Sequence, residues 1–351
     1  MNIMKRIPLT FPILVALAAS SCSTYYNYMT TDIRKDLSAV RTVYAQADSA
    51  YLAGNTDNSP FFFRTDSLWT TGLVGEPFTK NFYDETIKLN AFASANLGSA
   101  SGNTMVAADE SLEGNPLLAP EESVIKRFRW FYTTYTYKAV YRQITDLPVP
   151  VSEYLDEKDQ DIFFRNAASP AGWNGVEMYY LLDDMNSRFA KWYVHCTFKA
   201  SYDIIYSLAS PDMCSRMENF AEENLEKILS SDEDVTPESL CSMLDRHFKT
   251  DTFTGLYTEN ENAADSLYSE KENAVNDFEV TFISEIRLPG RLTRANAPAY
   301  NDGNPQWKID GYRLLCGSLT LEASSRTANI WAFAVTFLLL AGILYLLRRR
   351  F

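Results

Sequence analysis

Residues 329–351 read NIWAFAVTFLLLAGILYLLRRRF, and this stretch sets the predicted topology of the chain. The 18 residues of Ile330–Leu347 contain no charge, and as a helix they would extend about 27 Å, enough to cross a bilayer core. Trp331 and Tyr345 stand near the two ends, as interfacial aromatic residues do, and Arg348–Arg350 indicate the cytoplasmic side. We predict a transmembrane helix and basic tail over 329–351. The alternatives are a buried core helix, which would not be apolar all round, and a cleaved sorting tail, which would follow an LPXTG or PEP motif.

The N-terminus has the three-part pattern of a lipoprotein signal. A basic pair, Lys5–Arg6, precedes the short apolar segment Ile7–Ala19, and small residues then lead to Cys22. Ala19 stands where the lipobox pattern usually has leucine. We therefore predict a signal peptide over 1–21 and lipidation of Cys22. The alternative is an ordinary secretory signal that happens to precede a cysteine.

The two anchors together predict where the rest of the chain lies. A lipidated Cys22 would sit on the outer side of the membrane, and the C-terminal arginines would sit inside. Spanning α-helices belong to the bacterial inner membrane, because β-barrels are the usual outer-membrane solution. We predict an inner-membrane protein with a periplasmic ectodomain and a cytoplasmic C-terminus.

The segment between the anchors is strongly acidic. The whole chain has a net charge of −13, and the anchors hold five basic residues, so residues 22–328 carry −18. Such a balance argues against nucleic acid and against anionic headgroups as general partners, since both need basic patches. Hydrophobic residues make up 46% and aromatic residues 14% of the chain, which is ample for a folded core.

Four cysteines remain once Cys22 is assigned to lipid. An even number in an oxidising compartment permits two disulfides in three pairings. Cys214 and Cys241 flank a predicted helix–turn–helix, so they form the first candidate pair, leaving Cys196 and Cys316. The alternative is that all four are free thiols, buried in the fold.

Strand patterns occur at both ends of this segment. Residues 25–46 alternate in polarity and predict a β-hairpin in which Val40, Thr42 and Tyr44 share a face. Residues 22–117 form the predicted N-terminal β-rich part, and 277–328 form the C-terminal β part of the same domain. Further strand candidates in the two parts are Phe61–Trp69, Thr86–Ala95, Phe278–Arg287, Arg291–Arg294, Trp307–Asp310 and Leu319–Ala323.

Residues 118–276 predict a helical insertion. Pro120-Glu121-Glu122 would open its first helix, and apolar residues then recur at three- and four-residue steps. Ser210-Pro211 and Thr236-Pro237 are helix starts with a cap and a first-turn proline. The predicted fold class is α+β: a membrane-proximal antiparallel sheet built from both chain ends, the helical insertion, and the C-terminal transmembrane helix.

A set of turn residues near the second anchor carries a family resemblance. Leu288-Pro289-Gly290, Asn296-Ala297, Trp307 and Ser325-Arg326 precede the final helix, and this segment resembles the membrane-proximal part of LppM-like anchored bacterial lipoproteins. The early hairpin, with Arg41 after Lys35-Asp36, looks like the same type, although Asp36-Leu37 replaces the expected Asp-Gly turn. The resemblance covers about a third of the chain, at its two ends. It implies a lipid-anchored envelope domain and supplies no catalytic residues.

Candidate catalytic and metal-binding patterns are sparse. His195 and Cys196 are adjacent, so on a helix they point about 100° apart and would not form a nucleophile–base pair. No CxxC or HxxxH spacing supports zinc, and the acidic run at 156–161 lacks the spacing of a calcium loop. Paired carboxylates such as Asp183-Asp184 could serve glycoside hydrolysis, but they also arise by chance among 45 acidic residues. We predict no catalytic residue, metal or cofactor.

Residues 128–141 are dense in aromatic side chains, more than one helix face requires. Phe128, Phe131 and Tyr135 would pack in the core. The candidate binding surface, an apolar pocket or partner site, consists of Trp130, Tyr137 and Tyr141. Core packing of these three residues is the alternative.

Three functional hypotheses remain open from the sequence. The first is a non-enzymatic, membrane-tethered binding or assembly module in the envelope, with the membrane and an envelope protein or lipid as its partners. The second is a hydrolase that acts on envelope glycans through Asp and Glu. The third is a structural tether.

Overall fold

The chain is α+β and divides into two compact units. The computed structural model describes residues 25–55, 59–82, 85–98, 105–108, 112, 114–145, 147–164, 175–231, 233–276 and 280–350. One unit, the β unit, contains Thr24–Thr145 and Val275–Phe351, and the other, the helical unit, contains Asp146–Ala274. The predicted signal peptide and Cys22 lie outside the described residues.

Strands from both ends of the chain share the larger sheet of the β unit. Within the described residues this sheet has seven strands in the order β3-β4-β2-β1-β7-β10-β9. The predicted hairpin at 25–46 is confirmed, because β1 and β2 pair antiparallel. The strands are β1 (Tyr25–Ile33), β2 (Ala39–Ala45), β3 (Trp69–Phe82), β4 (Glu85–Leu97), β7 (Val280–Arg287), β9 (Ala299–Asn301) and β10 (Asn304–Asp310).

The larger sheet is mixed, so the prediction of an antiparallel sheet is wrong for its centre. β1 and β7 run parallel over eight paired positions, from Tyr25 opposite Val280 to Asp32 opposite Arg287. Parallel neighbours need a long crossover connection, and the chain between β1 and β7 supplies one. The other edge of β1 is already taken by its hairpin partner β2.

The smaller sheet is antiparallel and overturns a helix prediction. β5 (Glu121–Phe128), β6 (Tyr132–Tyr141), β8 (Arg291–Ala295) and β11 (Leu319–Ala328) lie in the order β5-β6-β11-β8. The segment that begins at Pro120 is therefore a β-hairpin, and the helical unit starts after it rather than at residue 118. The physical reason is composition: Tyr and Thr dominate 132–137, and such side chains favour a pleated surface over a helix.

Both faces of the larger sheet are covered within the β unit. On β2 the most buried residues are Ala39, Arg41, Val43 and Ala45, and Val40, Thr42 and Tyr44 share the opposite face, as predicted. The opposite face of the sheet packs against the far ends of β3 and β4, which place Phe78 and Leu89 near Tyr28. The register of β3 and β4 breaks between Leu73 and Phe78. The predicted strand at Phe61–Trp69 is not formed: Phe61–Phe63 are a buried bend, residues 64–68 are mostly exposed, and β3 begins where that strand was expected to end.

The helical unit is built from long helices around one core. The Thr236 start is confirmed as a capping box, since its hydroxyl accepts from Ser239 N at 3.2 Å and the Ser239 hydroxyl accepts from Thr236 N at 2.9 Å. The Asp245 carboxylate accepts from the N–H groups of Phe253 and Thr254, at the start of the next helix. The helices are α2 (Glu157–Phe163), α3 (Gly175–Leu208), α4 (Pro211–Ile228), α5 (Pro237–Phe248) and α6 (Thr252–Asn276).

The C-terminal helix α8 (Ile330–Arg350) follows β11 after the single residue Asn329. Among the described residues it is the one helix long and apolar enough to cross a membrane, and most of its side chains are exposed. Two shorter helices, α1 (Ser49–Leu52) and α7 (Gly311–Leu315), occur in connections of the β unit.

Candidate functional site

The turn between β5 and β6 is hydrogen-bonded to Asn329, the residue that precedes α8. Asn329 Nδ2 donates to the carbonyl oxygens of Arg129 at 2.8 Å and Trp130 at 3.2 Å. Its backbone N–H donates to Phe131 O at 2.8 Å, and its Oδ1 accepts from the Thr133 hydroxyl at 3.0 Å. One side chain thus satisfies several groups of the turn, which fixes α8 directly to the smaller sheet.

Aromatic rings extend this contact along the helix. Trp130 lies edge-on to Trp331 with ring centroids 5.3 Å apart, and its Nε1 donates to Thr336 Oγ1 at 2.9 Å. Phe128 stacks on Trp331 at 6.3 Å. Phe131 and Tyr132 contact Phe333. We call the segment 128–132 the aromatic tip.

The aromatic tip remains open to its surroundings despite these contacts. Phe128 is 58% exposed and Trp130 is 46% exposed, and the adjoining α8 is exposed along its length. Trp130 reaches Thr336, which is six residues into the helix, so its side chain contacts α8 about 9 Å from the first residue of the helix. An exposed apolar tip beside an exposed apolar helix is the arrangement expected where both contact lipid.

Of the three residues in the predicted binding surface, the structure places only Trp130 at this site. Tyr137 and Tyr141 are fully buried between the two sheets of the β unit, so the predicted shared surface is wrong. Their segment is a strand, and on a strand residues 130, 137 and 141 do not share a face. Phe128, which was expected in the core, is instead exposed at the tip. Asn329 was missed, although its position before the apolar run marks it as a boundary residue.

Tyr137 and Tyr141 belong to a buried ionic cluster that the sequence did not indicate. Arg41 Nη2 donates to both carboxylate oxygens of Glu122, at 2.7 and 2.8 Å, and both side chains are almost fully buried. The Tyr137 hydroxyl donates to Glu122 Oε1 at 2.7 Å, and Arg41 Nε donates to the Thr31 hydroxyl at 3.2 Å. Burial, and then the charge of Glu122, raise the pKa of both tyrosines. The cluster joins β2 of one sheet to β5 of the other.

A second buried carboxylate, Glu285, lies on β7. It accepts hydrogen bonds from Tyr28 Oη, Arg287 Nε at 2.8 Å, Asn301 Nδ2 at 3.0 Å and Gln306 Nε2 at 2.8 Å. Burial alone would raise the pKa of Glu285, but these four donors outweigh it, and the pKa lies below its usual value. Burial, together with the hydrogen bond to Glu285, raises the pKa of Tyr28. All the partners come from the larger sheet, so Glu285 holds its strands together.

We expect Glu285 to make the β unit sensitive to acid. A carboxylate whose pKa is lowered by folding stabilises the fold above its unfolded pKa of about 4.3, and this contribution disappears as the pH falls through the folded pKa. Glu285→Gln should therefore destabilise the β unit at pH 6, and its deficit relative to wild type should shrink below about pH 4. Hydrogen exchange of the β7 amides, measured from pH 6 to pH 3, checks this. A deficit that stays constant over the whole range would contradict it.

The four cysteines carry no disulfide, so the predicted Cys214–Cys241 pair is not formed. Cys241 is buried in the core of the helical unit, where burial raises its pKa to about 12. Cys214 points elsewhere, with its Sγ near the carbonyl oxygens of Tyr206 and Ala209. Cys196 is a buried thiol on α3, and Cys316 follows α7 as a partly exposed thiol.

The structure assigns His195 a packing contact rather than a site with Cys196. His195 Nδ1 hydrogen-bonds the Tyr154 hydroxyl at 2.9 Å, whereas Cys196 Sγ approaches Val149 O at 3.6 Å. Burial lowers the pKa of His195 and raises that of Cys196 to about 12. Among the residues that the structure describes, no group of three or more His, Cys, Asp or Glu side chains is arranged to hold a metal ion.

Comparison with known proteins adds no relative: no family model, curated protein or solved structure matches this chain. The contact between the aromatic tip and the start of α8, which we call the joint, is the candidate site because of its geometry.

Proposed function

We propose that this protein is a membrane-tethered, non-enzymatic binding or assembly module of the bacterial envelope. In this proposal α8 spans the inner membrane, Arg348–Arg350 lie in the cytoplasm, a lipid on Cys22 anchors the other end, and both folded units face the periplasm. An envelope protein or lipid that comes to the membrane surface is the partner.

The observation that carries the proposal is the rigid joint at the aromatic tip. A helix that served only as an anchor could follow a flexible linker, but here β11 continues into α8 with one intervening residue. That residue, Asn329, is hydrogen-bonded to the turn between β5 and β6, and Trp130 is hydrogen-bonded to Thr336. Such a joint supports a module whose smaller sheet is held against the membrane surface rather than left free to diffuse on a tether.

The tip in turn suits the membrane interface physically. Tryptophan and tyrosine prefer the headgroup level because one end of each ring system is apolar and the other is polar. The hydrogen bond from Trp130 also gives the Thr336 hydroxyl oxygen a donor among apolar neighbours. Lys126 and Arg127 adjoin the tip and Arg129 lies within it, and all three are exposed, as cationic side chains at an interface are.

Photo-crosslinking in intact cells tests the position of the tip. A photoreactive residue in place of Phe128 should form adducts with membrane lipid. The same residue in place of Glu121 should not, because Glu121 lies at the other end of β5, about 23 Å away. Lipid adducts at both positions, or at neither, would argue against the proposed joint.

The anchors can be tested in the same cells. A fluorescent reporter that folds only in the cytoplasm, fused after Phe351, should be active, and a periplasmic reporter there should be silent. Labelling by a fatty-acid analogue should disappear in Cys22→Ala and persist in the matched control Cys316→Ala. The reverse reporter pattern would refute the orientation, and persistent labelling of Cys22→Ala would refute lipidation at that residue.

A further inference from the structure

Three arginines form a row across the exposed face of the smaller sheet. Strand register places Arg127 opposite Thr134, Thr134 opposite Arg326, and Arg326 opposite Arg291. Residues directly opposite on neighbouring strands share a face, with strands about 4.8 Å apart. The three arginines are exposed, and the neighbouring positions Tyr135 and Ser325 on the opposite face are buried. We call Arg127, Arg291 and Arg326 the arginine row.

The arginine row is not neutralised by neighbouring carboxylates of the described residues. Among the described residues, no carboxylate lies within ion-pair distance of any of its members, whereas the nearby Arg294 pairs with Glu322. Like charges directly opposite each other on a sheet are destabilising, and Arg291 and Arg326 occupy such positions. Arg326 is held over the ring of Tyr132, 5.1 Å from its centroid, which leaves its guanidinium beside the aromatic tip. An anion from outside the chain would relieve this repulsion.

The row lies close to the start of α8. Arg326 precedes Ile330 by four residues of extended chain, so the two are at most about 13 Å apart. The headgroup zone of a bilayer is several ångströms thick, and unscreened charge acts over a further 8–10 Å at moderate salt. If α8 spans a bilayer, the row is within electrostatic reach of its phosphates.

The acidity of the chain does not extend to this face. Residues 146–274, which make up the helical unit, contain 26 acidic and 10 basic residues and carry a net charge of −16. Residues 24–145 and 275–328 contain 19 acidic and 17 basic residues and carry only −2. The summed charge of the chain therefore does not exclude anionic headgroups as partners of the smaller sheet.

We infer that the arginine row binds the anionic headgroups of the membrane in which α8 is anchored. Three guanidinium groups on one face of the sheet, one of them held by Tyr132, match the phosphates of a lipid surface. Binding there holds the smaller sheet on the bilayer and sets its orientation. The inference rests on the proposed function, because it requires α8 to be in a bilayer.

Quenching of tryptophan fluorescence by brominated lipids tests this in the full chain reconstituted in bilayers. Trp130 and Trp331 lie at the joint, so lipids that contact it quench them. Brominated phosphatidylglycerol should quench more strongly than brominated phosphatidylcholine, with an association constant roughly fivefold higher or more. The ratio of the two association constants should fall towards one at about 1 M salt.

Matched variants separate the row from general charge. The triple variant Arg127→Gln, Arg291→Gln and Arg326→Gln should lose the preference. The control Arg34→Gln, Arg64→Gln and Arg142→Gln removes the same charge from other exposed sites of the β unit and should keep it. The inference would be overturned by equal quenching by the two lipids in wild type. It would also be overturned if the lipid preference survives in the triple variant, or if the control variant loses the preference as well. If neither lipid quenches the tryptophan fluorescence, α8 is not in the bilayer, and the result contradicts the proposed function on which this inference rests.

Discussion

Glu122→Ala should lower the free energy of unfolding of the β unit by about 3–5 kcal/mol, the cost of leaving one partner of a buried ion pair alone. Arg41 would keep its charge at a position that is 2% exposed and would lose both of its bonds to the carboxylate. Tyr137 would lose its acceptor as well. Amides of β2 and β5 should exchange with solvent at least about 100-fold faster, because these strands are joined through this pair.

The neighbouring residue provides the control. Glu121 also pairs with an arginine, Arg142, but both side chains are exposed, so Glu121→Ala should cost less than about 1 kcal/mol. The double variant Arg41→Met, Glu122→Leu should recover much of the loss, because it removes both charges and fills the space with apolar groups. Hydrogen exchange monitored by mass spectrometry distinguishes the β unit from the helical unit in each variant. Equal effects of Glu121→Ala and Glu122→Ala would show that burial of the pair is unimportant.

Gly290→Ala should destabilise the β unit by about 3 kcal/mol, through two separate effects. Gly290 has φ +82°, where a residue with a Cβ loses about 1–2 kcal/mol. An added Cβ would also lie 2.4 Å from Arg326 O and 2.6 Å from Thr327 Cγ2, so β8 or β11 would have to shift. Overpacking of this kind typically costs a further 1–3 kcal/mol.

Gly303→Ala isolates the first effect from the second. Gly303 has a similar φ of +80°, but an added Cβ there meets nothing within 4 Å. It should therefore cost only about 1–2 kcal/mol. Hydrogen exchange of the β8 and β11 amides measures Gly290→Ala, and that of the β9 and β10 amides measures Gly303→Ala. A Gly290→Ala effect no larger than that of Gly303→Ala would refute the close approach. Because Arg291 follows Gly290, we also expect Gly290→Ala to disturb the arginine row.

The elements that the sequence predicted well carry strong local signals. The hairpin of β1 and β2 has clear alternation, and α4 and α5 begin at Ser210-Pro211 and Thr236-Pro237 as expected. The start of α8 is marked by an uninterrupted apolar run, and the structure begins the helix at Ile330. Each of these signals lies within the element that it specifies.

The helix predicted from Pro120 is wrong because the residues that follow it fit a helical period and a strand period equally well. Apolar residues recur at helical steps at Val124, Phe128, Phe131, Tyr135 and Ala139. The buried residues of strand β6 follow a period of two, namely Tyr135, Tyr137, Ala139 and Tyr141. The density of tyrosine and threonine favoured a strand and was the available signal. The aromatic tip was misassigned for the same reason, because its exposure depends on the turn between β5 and β6.

Local sequence patterns are sufficient to predict the α+β class, the early hairpin, most of the helical unit and the apolar C-terminal helix, because each depends on residues close together in the chain. The residues that these elements bring together follow from the way the elements pack in space. Arg41 meets Glu122 across 81 positions, and Arg127 lines up with Arg326 across three strands. Such contacts follow from sheet order and register, which depend on how the elements pair and pack in space and leave no periodic signal in the sequence. The candidate site is of this kind, since it joins the turn between β5 and β6 to the start of α8, about 200 residues further along the chain.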